Sequence, residues 1–179
     1  MSISELFPIK IWHGRVHNFT GCQSDVKRAV ADAEWDYHIS KDIKTHKFAR
    51  PEPFEGDVLL EYEMKNLMGE IQEAIKEYCG EGFMTETTYS LSWITKFDLG
   101  DYSRTHTHTR YNDAVRLSGI YYHQISEKNT LSFFDRMLVS SFEPDIEAGD
   151  LFLFPPDLPH CVNKTTVDEE RIVLAFNIY

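Results

Sequence analysis

The chain has 179 residues, 42% hydrophobic and 13% aromatic, which is enough to bury a core and argues against disorder. Its net charge of −11 argues against a general nucleic-acid binder, because phosphate binding needs a cationic face. Its three cysteines, Cys22, Cys79 and Cys161, give neither a disulfide framework nor a zinc cluster, and no stretch has the apolar length that crosses a bilayer.

In chain order, the opening MSISELFPIK has neither the basic start nor the apolar run of a secretion signal, so a reducing cytoplasm is the expected setting. Residues Ser24 to Asp36 place Val26, Ala29, Val30 and Ala33 at helical spacing. Lys41 to Gly56, with two prolines and many charges, is expected to be a loop, and its Lys41, Lys44, Lys47 and Arg50 are expected to be solvated. Asp57 to Glu77 is the clearest helix: Leu60, Met64, Leu67, Met68, Ile71 and Ile75 form one apolar stripe, Asp57 can cap its start, and Gly80 stands where a C-cap glycine belongs. The methionines of that stripe are expected in the core. The second half changes character. Thr87 to Phe97, Leu117 to Gln124, Thr130 to Phe134, Asp150 to Phe154 and Arg171 to Ile178 are short, rich in aromatic and β-branched residues, and separated by Gly, Pro, Asn and Asp. Helices followed by a run of strands predict a mainly β fold with N-terminal helices, a sandwich or barrel buttressed on one face.

Three features of the strand half carry chemistry. His106 and His108 flank Thr107, and residues two apart on a strand project from the same face, so two imidazoles can meet one metal ion; alone, the pair is also compatible with exposed loop histidines. His160 is delivered by an apolar strand and a turn stiffened by Pro155, Pro156 and Pro159. Arg171 follows eleven residues later and opens an otherwise apolar strand. A buried arginine needs a partner, and its planar fork suits a carboxylate; the alternative is a surface ion pair with Asp168, Glu169 or Glu170.

The segments Ser118-Gly-Ile-Tyr-Tyr122, Phe133-Phe-Asp-Arg136, Gly149-Asp-Leu-Phe-Leu-Phe-Pro-Pro156, Pro159-His160 and Glu170-Arg-Ile-Val-Leu-Ala-Phe-Asn-Ile178 resemble the 2-oxoglutarate/iron(II)-dependent oxygenases of marine bacteria and their phages. They are more distantly similar to prolyl hydroxylases. The resemblance covers residues 93–178 and implies a double-stranded β-helix, or cupin-like jelly roll, that uses Fe(II), 2-oxoglutarate and O2 to oxidise a small-molecule or peptide substrate, with release of succinate and CO2. It implies a single domain, with residues 1–86 as helical support and 87–179 as the β-helix core, acting as a monomer or homodimer. Residue by residue, it implies that His106 and His160 ligate the metal, that Arg171 binds the remote carboxylate of 2-oxoglutarate, and that Tyr122 donates its hydroxyl to the same carboxylate. It assigns no catalytic residue beyond the metal centre.

One position departs from the family pattern, which is usually H-x-D or H-x-E. His108 stands in the carboxylate's place. Either His108 is the third ligand, as in relatives of this family that carry H-x-H, or Asp113 supplies the carboxylate, or the oxygenase chemistry has been lost; the first is expected. Gly100, His106-x-His108 and Asp113 also resemble the first cupin motif, and Gly149 to His160 the second, which would make a metal enzyme or binding module that does not use 2-oxoglutarate. Arg171 discriminates, because a cupin does not need it. A metal-free interaction protein on the same fold is the third possibility. His13, His17, His38 and His46 are expected to be structural, and His123 is expected to face away from Tyr122's side. Lys41 to Gly56 and Thr109 to Arg116 are where substrate specificity would reside, and neither carries a readable code.

Overall fold

A computed structural model describes residues 2–6, 9–40, 43–49, 57–80, 89–109, 115–125, 127–128 and 130–179. Its elements are, in order, β1 (Ser2–Leu6), β2 (Ile9–Arg15), α1 (Phe19–Asp32), β3 (Asp36–Ser40), β4 (Ile43–Ala49), α2 (Val58–Glu61), α3 (Lys65–Cys79), β5 (Tyr89–Phe97), β6 (Ser103–His106), β7 (Leu117–Gln124), β8 (Leu131–Phe134), β9 (Ser141–Phe142), β10 (Asp150–Phe154), β11 (His160–Val162) and β12 (Arg171–Ile178). An eight-stranded sheet runs β1-β2-β10-β7-β12-β5-β4-β3, and a four-stranded sheet runs β6-β11-β8-β9. From β5 onward the chain passes back and forth between the two sheets, always pairing antiparallel, which is the winding of a double-stranded β-helix. Among the described residues, no helix is long and apolar enough to cross a membrane.

Period-two alternation feeds two cores. The outer face of the large sheet offers Trp12, Tyr121, Leu151, Leu153, Leu174 and Phe176 to the helices, which answer with Val26, Leu67, Ile71 and Ile75. The inner face sets Phe97, Ile120, Tyr122, Phe152, Phe154, Val173 and Ala175 against Leu131 and Phe133 of the small sheet. Every residue of β12 is buried, since β12 lies between β5 and β7 with both faces covered. That explains why its sequence is a continuous apolar run rather than an alternating one.

The expected strands of the second half are present, but the first half is less helical than its sequence predicts. It lends four strands, β1 to β4, to the large sheet. Ile43–Ala49, expected as loop, pairs with β5 because the open edge of a sheet satisfies its backbone with any neighbouring extended segment, and charged side chains are acceptable near an edge. The remainder of that expected loop, at 41–42 and 50–56, lies outside the described residues. The first helix begins and ends earlier than Ser24 to Asp36: the Asn18 side chain accepts from the Gly21 amide at 3.1 Å and starts it, and Ala33 ends it. The helix expected over Asp57 to Glu77 is broken into α2 and α3, with Glu63 at φ 44° between them. Asp57 caps α2 and Gly80 ends α3 as expected. The break resets the helical phase, so Leu60 is exposed while Val58 and Leu59 are buried in its stead. Asp25 of α1 then caps α3 by accepting from the amides of Asn66 at 2.8 Å and Leu67 at 3.2 Å.

Gly119 of β7 faces Phe176, and a Cβ there would meet the Phe176 ring and approach the Phe152 carbonyl oxygen to 2.9 Å. Gly119→Ala is expected to destabilise the fold by about 1–3 kcal/mol, read as a lower urea midpoint with an unchanged slope. An unaltered midpoint would mean that the two strands part more easily than this packing allows.

Candidate metal centre

His106 closes β6 and His160 opens β11, and the two residues are paired across the ladder. His108 lies just past the end of β6, so strand periodicity alone does not place it. Its amide donates to the Pro156 carbonyl at 2.8 Å, and the Pro155–Pro159 turn therefore holds the backbone of His108 as well as delivering His160. The ring centroids of His106 and His160 are 4.3 Å apart, those of His108 and His160 5.0 Å, and those of His106 and His108 5.4 Å. One nitrogen from each of the three lies within 4.8 Å of the others. Asp113, the alternative acidic ligand, lies outside the described residues.

Each ring has its Nδ1 against an oxygen. His106 Nδ1 is 2.8 Å from the Arg104 carbonyl, His160 Nδ1 is 2.9 Å from the Leu158 carbonyl, and His108 Nδ1 is 2.7 Å from Asn177 Oδ1. A backbone carbonyl oxygen only accepts, so Nδ1 carries the proton and Nε2 keeps the lone pair in His106 and His160. Trp93, Phe133 and Phe154 wall the cluster with aromatic rings, Phe154 at 4.8 Å from the His160 ring. Burial lowers the pKa of all three: to about 4 for His108, well below the ordinary value for His160, and downward for His106, whose outer edge remains exposed. The neighbouring imidazoles push the same way on His108 and His160. The cluster is thus neutral at neutral pH, the state in which imidazole ligates metal.

On the other side of the inter-sheet space, the Arg171 side chain is fully buried rather than paired at the surface. Glu170 pairs with Lys96 instead. Arg171 Nη2 donates to the Asn163 carbonyl at 3.1 Å and to Thr165 Oγ1 at 3.0 Å, and its guanidinium lies 4.5 Å over the Phe97 ring. Among the described residues its Nε and Nη1 are buried with no hydrogen-bond partner, and Thr130 Oγ1 is buried beside the Tyr122 phenol. Tyr122 itself is buried on the inner face, with its phenol pKa raised by burial and opposed by the Arg171 charge. Tyr121 belongs to the outer core, as alternation requires.

Sequence reasoning missed Asn177, Ser118 and Thr130. For the first two the available signal was a polar residue on the inner register of an otherwise apolar strand; for Thr130, at a strand's edge, there was none. Of the other histidines, His13 stacks on Phe152 at 5.6 Å and His17 stands 3.3 Å from Glu70, both outside the cluster. His123 is half-buried with an unpartnered Nδ1 and a pKa lowered to about 4 by burial and by Lys27.

The lowered pKa values give the apoprotein a pH dependence. His108 binds a proton more readily unfolded, near 6.5, than folded, near 4, so its contribution is complete above pH 6.5 and is lost as pH falls toward about 4. The urea midpoint of metal-free protein should therefore drop between pH 7 and pH 5, with His108 adding on the order of 3 kcal/mol across its full window. His108→Gln should flatten the slope. A midpoint that holds steady over this range would contradict the burial of these rings.

No family model matches the chain, and no curated protein does. Solved structures do. A 2OG-Fe(II) oxygenase family oxidoreductase from Burkholderia pseudomallei superposes with a TM-score of 0.69 at 12% identity, covering 87% of this chain and 77% of that one. A prolyl-4-hydroxylase from Pseudomonas putida gives 0.63 at 19%, covering 97% and 94%. The epimerase SnoN of nogalamycin biosynthesis, solved with Fe3+ and alpha ketoglutarate, gives 0.73 at 10%, covering 94% and 78%. At these identities the likeness is one of fold: the chain adopts the double-stranded β-helix on which 2-oxoglutarate/iron(II) oxygenases, prolyl hydroxylases among them, are built.

Proposed function

We propose that this protein is an iron(II)- and 2-oxoglutarate-dependent oxygenase. His106, His108 and His160 are its metal ligands, and Arg171, Tyr122 and Thr130 hold the remote carboxylate of 2-oxoglutarate. The observation that carries the assignment is Arg171. A guanidinium buried without a paired carboxylate is costly, and among the described residues two of its nitrogens have no hydrogen-bond partner. A carboxylate satisfies them together, through the bidentate geometry that arginine favours. The donor set fits the metal equally well: three neutral imidazoles suit a divalent first-row ion and leave positions open for a chelating keto acid and oxygen. A cupin that does not use 2-oxoglutarate has no need of the buried cation.

The arginine and the residue behind His108 stand on one face of one strand. Arg171, Val173, Ala175 and Asn177 share the inner face of β12, with Arg171 about 20 Å from Asn177 along the strand. Val173 and Ala175, with small side chains, stand between the two ends on that face.

When bound, iron, 2-oxoglutarate and oxygen supply the oxidising power, with succinate and CO2 as the cosubstrate's products. The chain's own residues bind and orient. Arg171 neutralises and aligns the diacid, and the Tyr122 hydroxyl, kept protonated by burial, donates to it. The aromatic walls of Trp93, Phe133 and Phe154 exclude water from the ligand side. His106 is the exposed member of the triad, so the organic substrate approaches past it while 2-oxoglutarate occupies the deeper space toward Arg171.

Anaerobic calorimetric titration of iron(II), then 2-oxoglutarate, into the apoprotein tests the assignment. Both should bind, and the cosubstrate should bind more tightly when the metal is present. His160→Ala should abolish metal binding. Arg171→Met should weaken 2-oxoglutarate by about 100-fold or more and leave iron(II) affinity unchanged. The same substitution should hold or raise the melting temperature of the ligand-free protein, because it removes an uncompensated buried charge. Undiminished 2-oxoglutarate affinity in Arg171→Met would overturn the cosubstrate assignment, and an apoprotein that takes up no iron(II) would overturn the whole.

A further inference from the structure

Asn177 and Ser118 form a polar pair facing the space between the sheets, at the end of β12 away from Arg171. They stand opposite each other in register and are almost completely buried. Ser118 Oγ lies 2.9 Å from Asn177 Oδ1, and both lie against His108, Asn177 Oδ1 at 2.7 Å and Ser118 Oγ at 2.8 Å from Nδ1. Two apolar side chains of similar size would satisfy this part of the sheet as well, because exchanging both members of a buried hydrogen-bonded pair is nearly neutral. The packing therefore does not call for the pair, and the ring it touches does.

The protons available decide the state of that ring. The Ser118 hydroxyl has one to donate, and the imidazole Nδ1 has one or none. With Nδ1 protonated, both protons go to Asn177 Oδ1, whose lone pairs accept them, and the triangle is satisfied. With Nδ1 bare, its lone pair would face Asn177 Oδ1 at 2.7 Å, acceptor against acceptor. His106 and His160 take the same tautomer from the backbone carbonyls of Arg104 and Leu158, which no side-chain change removes. Of the three, His108 is the one whose orientation is written in a side chain.

We infer that Asn177, oriented by Ser118, is a positioning residue for the metal: it holds His108 with its proton on Nδ1 and its lone pair on Nε2, turned toward His106 and His160. The inference rests on the metal-site assignment above. It also bears on the charge of the centre. A carboxylate behind a ligating histidine passes negative charge through the ring, whereas the amide passes none. Three histidines with a neutral acceptor thus leave the ion's charge undiminished for the acidic cosubstrate.

Two readouts on the full chain test this, neither of which needs turnover. In metal-free protein carrying isotope-labelled histidine, long-range proton–nitrogen correlation spectra report the tautomer of each ring, and His108 should carry its proton on Nδ1. Asn177→Leu, close in volume, should lower affinity for cobalt(II), used as the probe metal, by about 10–100-fold. In that variant the tautomers of His106 and His160 should be unchanged. Asn177→Asp should restore or exceed the original affinity, since it keeps the acceptor and adds charge. A wild-type His108 protonated on Nε2, or cobalt(II) bound by Asn177→Leu within about twofold of wild type, overturns the inference. If Asn177→Leu does not fold, Ser118→Ala should show a smaller loss in the same direction with mixed His108 tautomers, and no change in either measurement counts against the inference. His108→Ala separates the two levels of the argument. If it binds cobalt(II) as wild type does, the metal-site assignment fails and this inference with it; if it loses the metal while Asn177→Leu keeps it, only the role of Asn177 falls.

Discussion

The pairing of β12 between β5 and β7 is the constraint on which the rest of the molecule hangs. It buries both faces of the strand, so each inward-facing residue occupies a position that its neighbours on either side hold in register. Arg171 and Asn177 are the polar members of that inner row. One carries a charge with no ion pair among the described residues, and the other stands 2.7 Å from an imidazole nitrogen. The helices stiffen the sheet from outside through Leu67, Ile71 and Ile75, which pack on the same strands whose opposite faces line the site. A binding region between two sheets can be held to this tolerance because closely packed cores resist small displacements.

The histidine cluster depends on a second device, the turn from Pro155 to Pro159. The turn places His160, receives the His108 amide on Pro156, and receives the Phe134 amide on Pro159, so it ties β8, β11 and the end of β6 together. The rings it gathers share no charge and no carboxylate among the described residues. They are kept neutral by burial, and each is pointed by an oxygen at its Nδ1. A site of this kind is primed for a cation on one side and for an anion, at Arg171, on the other. That complementarity is what a metal with a chelating dicarboxylate requires.

Much of this was legible in the chain itself, and the reasons are specific. Strands such as Leu117–Gln124 and Arg171–Ile178 announce themselves by composition and by the turn residues at their ends. The histidine cluster was legible through spacing and through the prolines before His160, and Arg171 through the oddity of a charge opening an apolar run. The outermost strands β4 and β3 at that end of the large sheet were not legible, because their pairing is set by the neighbour's unpaired backbone rather than by the strand's own side chains. Nor was the break at Glu63, where a left-handed residue of no special composition shifts the phase of an apparently continuous stripe.

The sequence alone determined which polar groups the candidate site has: three histidines, an arginine and a tyrosine in an order that resembles a known family, on segments whose period is that of strands. Tertiary structure decided what those groups are to one another. Whether Arg171 meets Glu170 at the surface or turns inward depends on β12 being covered on both faces. Whether His108 offers Nε2 depends on Asn177, 69 residues away in the chain. Such facts are absent from local pattern because antiparallel sheets bring distant residues into register, and a hydrogen bond between them exists only once the register is set.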